Sequence, residues 1–229
     1  MGRLEEIGLY RTHVTDAGLP SLACLTRLQV LNLSVTGITG SGFAHLAGLQ
    51  QLDELDLYGD DVPDVHIAPL AQLRSLRRLN LGGTKITDGA LLHLGGLTQL
   101  EELDLSETQV TDDGLDHLSG FVNLQSLDLG QTQVTDEGVR KLSTLANLKE
   151  LYLYELNVTD VALRHLTRCP SLERLLLWNT AITDDGLKYL MEMPGLKYVD
   201  LQGTRVTAVR ASDLKRALPK LHVQGPSRW

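Results

Sequence analysis

Leucine recurs at Leu4, Leu28, Leu52, Leu76, Leu100, Leu124, Leu148, Leu172 and Leu196, an unbroken step of 24 residues through nearly the whole chain. That period is too long for a helical heptad and too short for a domain, so it implies a solenoid of small units stacked side by side. With that leucine counted as slot 1 of each unit, slot 6 is also leucine nine times, from Leu9 to Leu201. Slot 19 is leucine from Leu22 to Leu214, and slot 4 reads Ile7, then seven leucines, then Val199. Slot 11 is always valine or isoleucine, as in Val14, Ile86 and Ile182.

Each unit changes its hydrophobic period partway. Slots 1, 4 and 6 read LxxLxL, whose last part alternates as a short strand does, with leucines inward and slots 3, 5 and 7 outward. Slots 12 to 20 then read TDxGLxxLx, apolar residues three apart behind a Thr-Asp start, which is the pattern of a short helix. Asp16, Asp88, Asp112, Asp136, Asp160 and Asp184 occupy slot 13, where a carboxylate is expected to cap the free amides of its own helix. Helices are ~10 Å wide and strands ~4.8 Å apart, so the helical side must be the outside of a bend and the sheet its concave face.

The pattern LxxLxLxxT/NxI/V resembles the leucine-rich repeat over residues 4 to about 223, with LEELDLSETQVTDDGLDHLSGFVN (Leu100 to Asn123) close to a consensus. In its TxVTDxGLxxL form it is similar to the bacterial variant abundant in planctomycete-type genomes. The resemblance implies an α/β fold: a right-handed superhelix, or horseshoe solenoid, with a parallel β-sheet on the concave face and short helices on the convex one. The reading is one domain over 1–229 with nine repeats. Many such repeats carry Asn in slot 9, bonding adjacent coils in a ladder. Here slot 9 is threonine in seven copies, among them Thr12, Thr84 and Thr204. A hydroxyl offers one donor where an amide offers two, so the turn must find other partners.

Two copies depart from the pattern. Repeat three has Asp60 in slot 9 and Pro63 and Pro69 around its helical stretch, which predicts an irregular convex side. Repeat seven has Leu156 in slot 9 and Ala162 where Gly is usual. The last copy carries one extra residue, and RASDLKRALPKLHVQ predicts a helix from about Ala211 to Leu218 and a closing strand at Leu221 to Val223, together a cap over 211–223. Nothing comparable precedes Leu4, so Leu4, Ile7 and Leu9 are expected to form an open edge.

No run approaches the ~18 apolar residues of a membrane span, and MGRLEEIGLY has no signal-like apolar region, so a soluble, cytoplasmic chain is expected. Cys24 and Cys169 lie six repeats apart, roughly 30 Å, too far to bridge. They read as two buried, isolated thiols suited to a reducing compartment. With 21 basic against 29 acidic residues, a nucleic-acid groove is not expected.

Nor does a catalytic or cofactor site emerge. His45, His93, His117 and His165 recur in slot 18 on successive helices ~10 Å apart, which makes a solvated column and no zinc site. There is no G-x-S-x-G and no phosphate loop. The reading is a non-enzyme that needs no cofactor.

Information then resides in the outward strand slots. Tyr152, Tyr154, Leu176, Trp178 and Tyr198 fall on three consecutive strands, within roughly 10 Å of one another. A concave wall can shield its own aromatics, and single exposed rings are ordinary. Five together suggest a contact patch, because Trp and Tyr dominate interface hot spots. Beside them Glu54, Asp56, Glu102, Asp104, Asp128 and Glu150 make an acidic strip broken by Arg78, with Tyr58 on the same face. The expected ligand is a protein or peptide with a basic segment, bound by a monomer. Alternatives are an assembly element that dimerises through its N-terminal edge, or a carbohydrate-binding module stacking sugars on the rings.

Overall fold

The computed structural model describes residues 4–225. Ten three-residue strands pair in chain order in one parallel sheet: β1 (Glu6–Gly8), β2 (Val30–Asn32), β3 (Glu54–Asp56), β4 (Arg78–Asn80), β5 (Glu102–Asp104), β6 (Ser126–Asp128), β7 (Glu150–Tyr152), β8 (Arg174–Leu176), β9 (Tyr198–Asp200) and β10 (His222–Gln224). Every residue faces the one 24 positions on, from Ile7 opposite Leu31 to Val199 opposite Val223. The middle residue of each strand points into the core, so Leu31, Leu55, Leu127, Leu151 and Leu175 are wholly buried along with the slot 1 and slot 6 leucines of repeats 2 to 6. Each such leucine is worth about 1.5–3 kcal/mol of burial, and the columns merge into one long aliphatic core.

The convex side alternates between two kinds of short helix. Repeats four, six and seven form α1 (Asp88–Leu94), α2 (Asp136–Lys141) and α3 (Asp160–Leu166), and repeat eight ends in α4 (Leu187–Leu190). Repeats one, two, three and five make only 3-10 turns, split in repeat three into Asp64–His66 and Ala68–Gln72 around its prolines. The closing helix α5 runs Ala208–Ala217, beginning and ending earlier than its apolar spacing suggested, and β10 pairs with β9 at the same 24-residue step. The extra residue of the last copy therefore does not displace the strand. At the other end Leu4 is 48% exposed, and Ile7 and Leu9 are only partly covered.

Slot 13 does something other than the expected capping. The helix caps are the slot 12 threonines: Thr87, Thr135, Thr159 and Thr183 accept from the amide two residues on. Each aspartate reaches forward to the next coil. Asp112 accepts from the Thr135 amide at 2.8 Å and the Thr135 hydroxyl at 2.6 Å, and Asp64, Asp88, Asp136, Asp160 and Asp184 repeat the bond pair on the threonine 23 residues later. A Cβ on Gly114, Gly138 or Gly186 would overlap the aspartate of the previous coil, although Ala90 and Ala162 fill the same slot elsewhere. This Asp–Thr chain replaces the slot 9 ladder. Six of the seven slot 9 threonine hydroxyls instead donate back to the slot 6 carbonyl of their own coil, as Thr108 does to Leu105 at 2.6 Å, while Thr36 donates to Asp60.

The chain of aspartates lapses once. Repeat two has Gly40 in slot 13 and repeat three has Pro63 in slot 12, so neither partner exists. At that junction Asp60 accepts from the Thr36 amide at 2.7 Å and the His66 ring meets the Thr39 carbonyl at 2.8 Å. The substitution restores a link between coils but leaves Asp60 2% exposed with its Oδ2 unpartnered.

A second regularity carried no signal in the sequence. Slot 8 is left-handed in all nine coils, at φ 54° to 71°, whether it holds Gly59, Gly83 and Gly203 or Arg11, Val35, Glu107, Gln131, Glu155 and Asn179. The turn sends the slot 8 amide onto the next coil, as Glu107 to Gly130 at 2.8 Å. Val35 is the costly case, since a β-branched residue at φ 54° crowds its own backbone.

Two outcomes follow. Val35→Gly or Val35→Asn, which copy repeats three and eight, should stabilise the protein by about 1 kcal/mol in thermal melts; an unchanged or lower midpoint would contradict the strain. Burial pushes the Asp60 carboxyl up to about 6, against the Thr36 bonds. The fold thus holds that proton more tightly than the unfolded chain, a stabilisation full below the ordinary value of 3.8 and lost as pH rises through about 6. Asp60→Asn should therefore exceed the parent by about 1–2 kcal/mol at pH ~8 and by little at pH ~4, as melts across that range would show.

Candidate functional site

Outward slots 3, 5 and 7 form three rows on the concave face, and slot 5 has a structural duty. Asn32, Asp56, Asn80, Asp104, Asp128 and Asp200 each accept the amide two residues on, at 2.8–3.0 Å, where the chain leaves the strand. Tyr152 and Leu176 alone among the later copies lack a side chain that can play this part. The row gives up its backbone support where the rings gather.

The rings pack on one another in two short columns. In slot 7 Tyr154 lies parallel to Trp178, ring centres 4.6 Å apart at 3°. In slot 3 the Arg174 guanidinium sits 4.3 Å over Tyr198, whose other neighbour is His222 at 5.3 Å. Tyr152 and Leu176 lie between the columns in slot 5, and Tyr152 donates to Glu150 Oε2 at 2.7 Å. All five expected patch residues are half-buried, leaving an uneven apolar platform with open edges.

Tyr58 stands four strands away from Tyr154, yet the two lean towards each other. The Tyr58 ring lies against Gly82 and its hydroxyl donates to Glu107 at 3.0 Å. Tyr154 lies across Gly130, where no Cβ would fit, with its hydroxyl near Ser106 and Asp128. Small residues in slot 7 of repeats four to six thus create a cradle closed at both ends by tyrosine. Beside it runs an open trough of about 370 Å³ floored by Asp56, Asn80, Asp104 and Asp128 and walled by Glu54, Arg78 and Glu102.

The acidic strip is less uniform than its sequence. Arg78 bonds Asp53 at 2.5 Å and Glu54 at 2.8 Å, neutralising one end. Glu150 accepts from the Tyr152 hydroxyl at one oxygen and stands outside the trough, around which Asp56, Glu102, Asp104 and Asp128 gather as the acidic centre. Burial pushes the Asp128 carboxyl up to about 7, with Asp104 and Glu107 adding repulsion; Asp104 is raised by burial and by the charges of Asp56 and Glu107. Desolvation also drives the Tyr152 and Tyr154 hydroxyls up to about 12, so both remain donors.

Elsewhere Cys24 is exposed, contrary to expectation, because it occupies slot 21, which faces outward in the interior coils as well, as at Gln72, Thr144 and Arg168; Cys169, one slot further on, is buried and its thiol pushed up to about 11. Among the described residues no group of His, Cys, Asp or Glu is placed to hold a metal, and no helix is long and apolar enough to cross a membrane. The residue that sequence reasoning missed is Arg174. Its signal was a lone basic residue in slot 3 amid the rings.

A family model described as Leucine Rich repeat matches at 72–94, 96–119 and 122–143, three consecutive units of the 24-residue step. Among solved structures, an internalin (InlF) from Listeria monocytogenes superposes with a TM-score of 0.76 at 21% identity, over 98% of this chain and 61% of that one. Internalin C2 from the same organism gives 0.63 at 28% identity, covering 93% and 84%. The ectodomain of the Arabidopsis thaliana receptor kinase GASSHO1/SCHENGEN3 gives 0.61 at 20%, covering 90% of this chain and 25% of that one. A search of curated proteins finds no match. The sequence carries leucine-rich repeats across 72–143, and the fold of the described chain is that of leucine-rich repeat proteins, one that commonly serves protein interaction and is generally non-catalytic.

The coupling of the trough can be measured directly. Carbon-13 NMR of the carboxyls should find Asp128 titrating near pH 7, and Asp104→Asn should lower that midpoint by removing the adjacent charge. A midpoint that stays put in the variant would mean that burial alone sets it.

Proposed function

We propose that this protein is a non-catalytic recognition module that holds a protein or peptide on its concave face. The ligand sits on Tyr152, Tyr154, Leu176, Trp178 and Tyr198, and a basic segment of it is drawn to the trough around Glu102, Asp104 and Asp128. What carries the reading is the exchange in slot 5. Six copies hold an Asn or Asp bonded to the strand exit, and two neighbouring copies abandon that bond for a tyrosine and a leucine turned outward. Stability does not ask for this; a contact surface does, because rigid rings supply large area at small entropic cost. A reducing, cytoplasmic setting suits two thiols that stand far apart.

A second reading rests on the first coil, where exposed Leu4 and partly covered Ile7 and Leu9 continue a core that is otherwise closed. Stacking of another chain on β1 would cover them. Light scattering over a range of concentrations separates the readings: an edge-paired assembly grows with concentration, whereas a concave-face receptor stays monomeric.

For the leading reading, Trp178→Ala should weaken the complex with a partner captured by the intact chain by about 2 kcal/mol. Its melting midpoint should shift little, because the ring is only half-buried. Retention of full affinity by the Trp178→Ala, Tyr154→Ala double variant would falsify the surface. Association should also slow as ionic strength rises from about 0.05 to 0.5 M; rates indifferent to salt would remove the trough from recognition.

A further inference from the structure

Arg174 is placed unlike the other arginine of its row. Arg78, four strands earlier in the same slot, carries two carboxylate partners. Arg174 has no ion pair among the described residues, and its Nε is shielded from solvent without a hydrogen-bond acceptor. Its neighbour across the sheet, Glu150, already accepts from Tyr152. The guanidinium is held over the Tyr198 ring, which is itself stacked against His222, so it is fixed in place by packing. A guanidinium stacked on a half-buried aromatic shelf, with its shielded Nε unpaired, is placed to take an anionic acceptor, and the planar fork of arginine matches a carboxylate.

The same row turns from acidic to basic along its length: Glu102 on β5, Ser126 on β6, Glu150 on β7, Arg174 on β8. From Arg174 the acidic centre on β5 and β6 is two to three strands away, about 10–14 Å, a distance spanned by three to four residues of extended chain. Between them lies Tyr152 on β7, with Leu176 beside Arg174 on β8.

We propose that Arg174 reads a carboxylate on the ligand, and that the occupant is a peptide segment bearing a carboxylate three to four residues from a cationic side chain, with an apolar residue between the two. The inference rests on the concave-face reading above and adds charge order to it. The cation lies over Glu102 and Asp104, the apolar residue on Tyr152 and Leu176, and the carboxylate on Arg174. Both an acidic side chain and a chain terminus supply this chemistry.

The probe is a random-sequence displayed peptide library selected on the full chain, on Arg174→Gln, on Arg174→Lys and on Trp178→Ala. Thermal melts establish that each variant is folded. The intact chain should enrich peptides with one basic and one acidic group at the stated spacing. Resynthesised winners should bind Arg174→Gln at least about tenfold more weakly, with Arg174→Lys recovering part of the loss. Amidating their C-termini separates the sources: lost binding assigns the contact to a terminal carboxylate, retained binding to an acidic side chain, and either supports the assignment. Winners without an acidic group, or with unchanged affinity for Arg174→Gln, would overturn it while leaving the aromatic surface standing if they still need Trp178. Winners indifferent to Trp178 and Arg174 alike, or no winners at all, would overturn both.

Discussion

Parallel pairing at a constant offset of 24 residues is the constraint on which everything else in this molecule rests. Each coil can bury its leucines only against the coils on either side, and each must present its polar backbone groups in the same register to both. A residue is therefore tested against its counterparts 24 positions before and after more than against its sequence neighbours. The Asp–Thr chain on the convex side shows this most clearly. Asp112 belongs by sequence to one helix start but by bonding to the next, where it satisfies the Thr135 amide and hydroxyl.

Such a chain makes loss at one link a joint event. The junction between repeats two and three lacks the aspartate on one side and the threonine on the other, Gly40 facing Pro63. Either change alone would strand a polar group between coils; together they remove the link cleanly. Asp60 then supplies a different one at slot 9, where it accepts from Thr36. Its buried, unpartnered Oδ2 is the cost of placing a carboxylate at this junction.

The leucine columns, the parallel sheet and the concave placement of the rings were legible because hydrophobic period alone determines them. The direction of the aspartate bonds was not. In a repeat, the partner within the unit and the partner in the next unit have the same residue type, so spacing cannot tell them apart. The left-handed slot 8 was hidden for a related reason: backbone bonds to the next coil impose it, and glycine, glutamate and valine all comply. Cys24 was misjudged because slot 21 faces outward while slot 22, where Cys169 lies, faces the core, and adjacent slots look alike when each holds a single cysteine. Arg174 was passed over because a single cation in a variable slot looks like surface until its neighbours prove to be already engaged.

The distribution of variation argues that the two ends of the concave face were shaped by different demands. In repeats three to six, slot 5 keeps Asn or Asp, and their carboxylates remain bound to the strand exits even as burial and neighbouring carboxylates raise Asp104 and Asp128. Electrostatic strain is tolerated there because the backbone bond offsets it, so acidity in that region is partly a by-product of structure. Repeats seven and eight owe nothing to that bond. A tyrosine and a leucine standing where an asparagine would serve the fold better, beside a guanidinium with no acceptor for its Nε, represent stability forgone at one place on the sheet. Incomplete satisfaction concentrated at a single surface is what a binding site looks like before its ligand arrives.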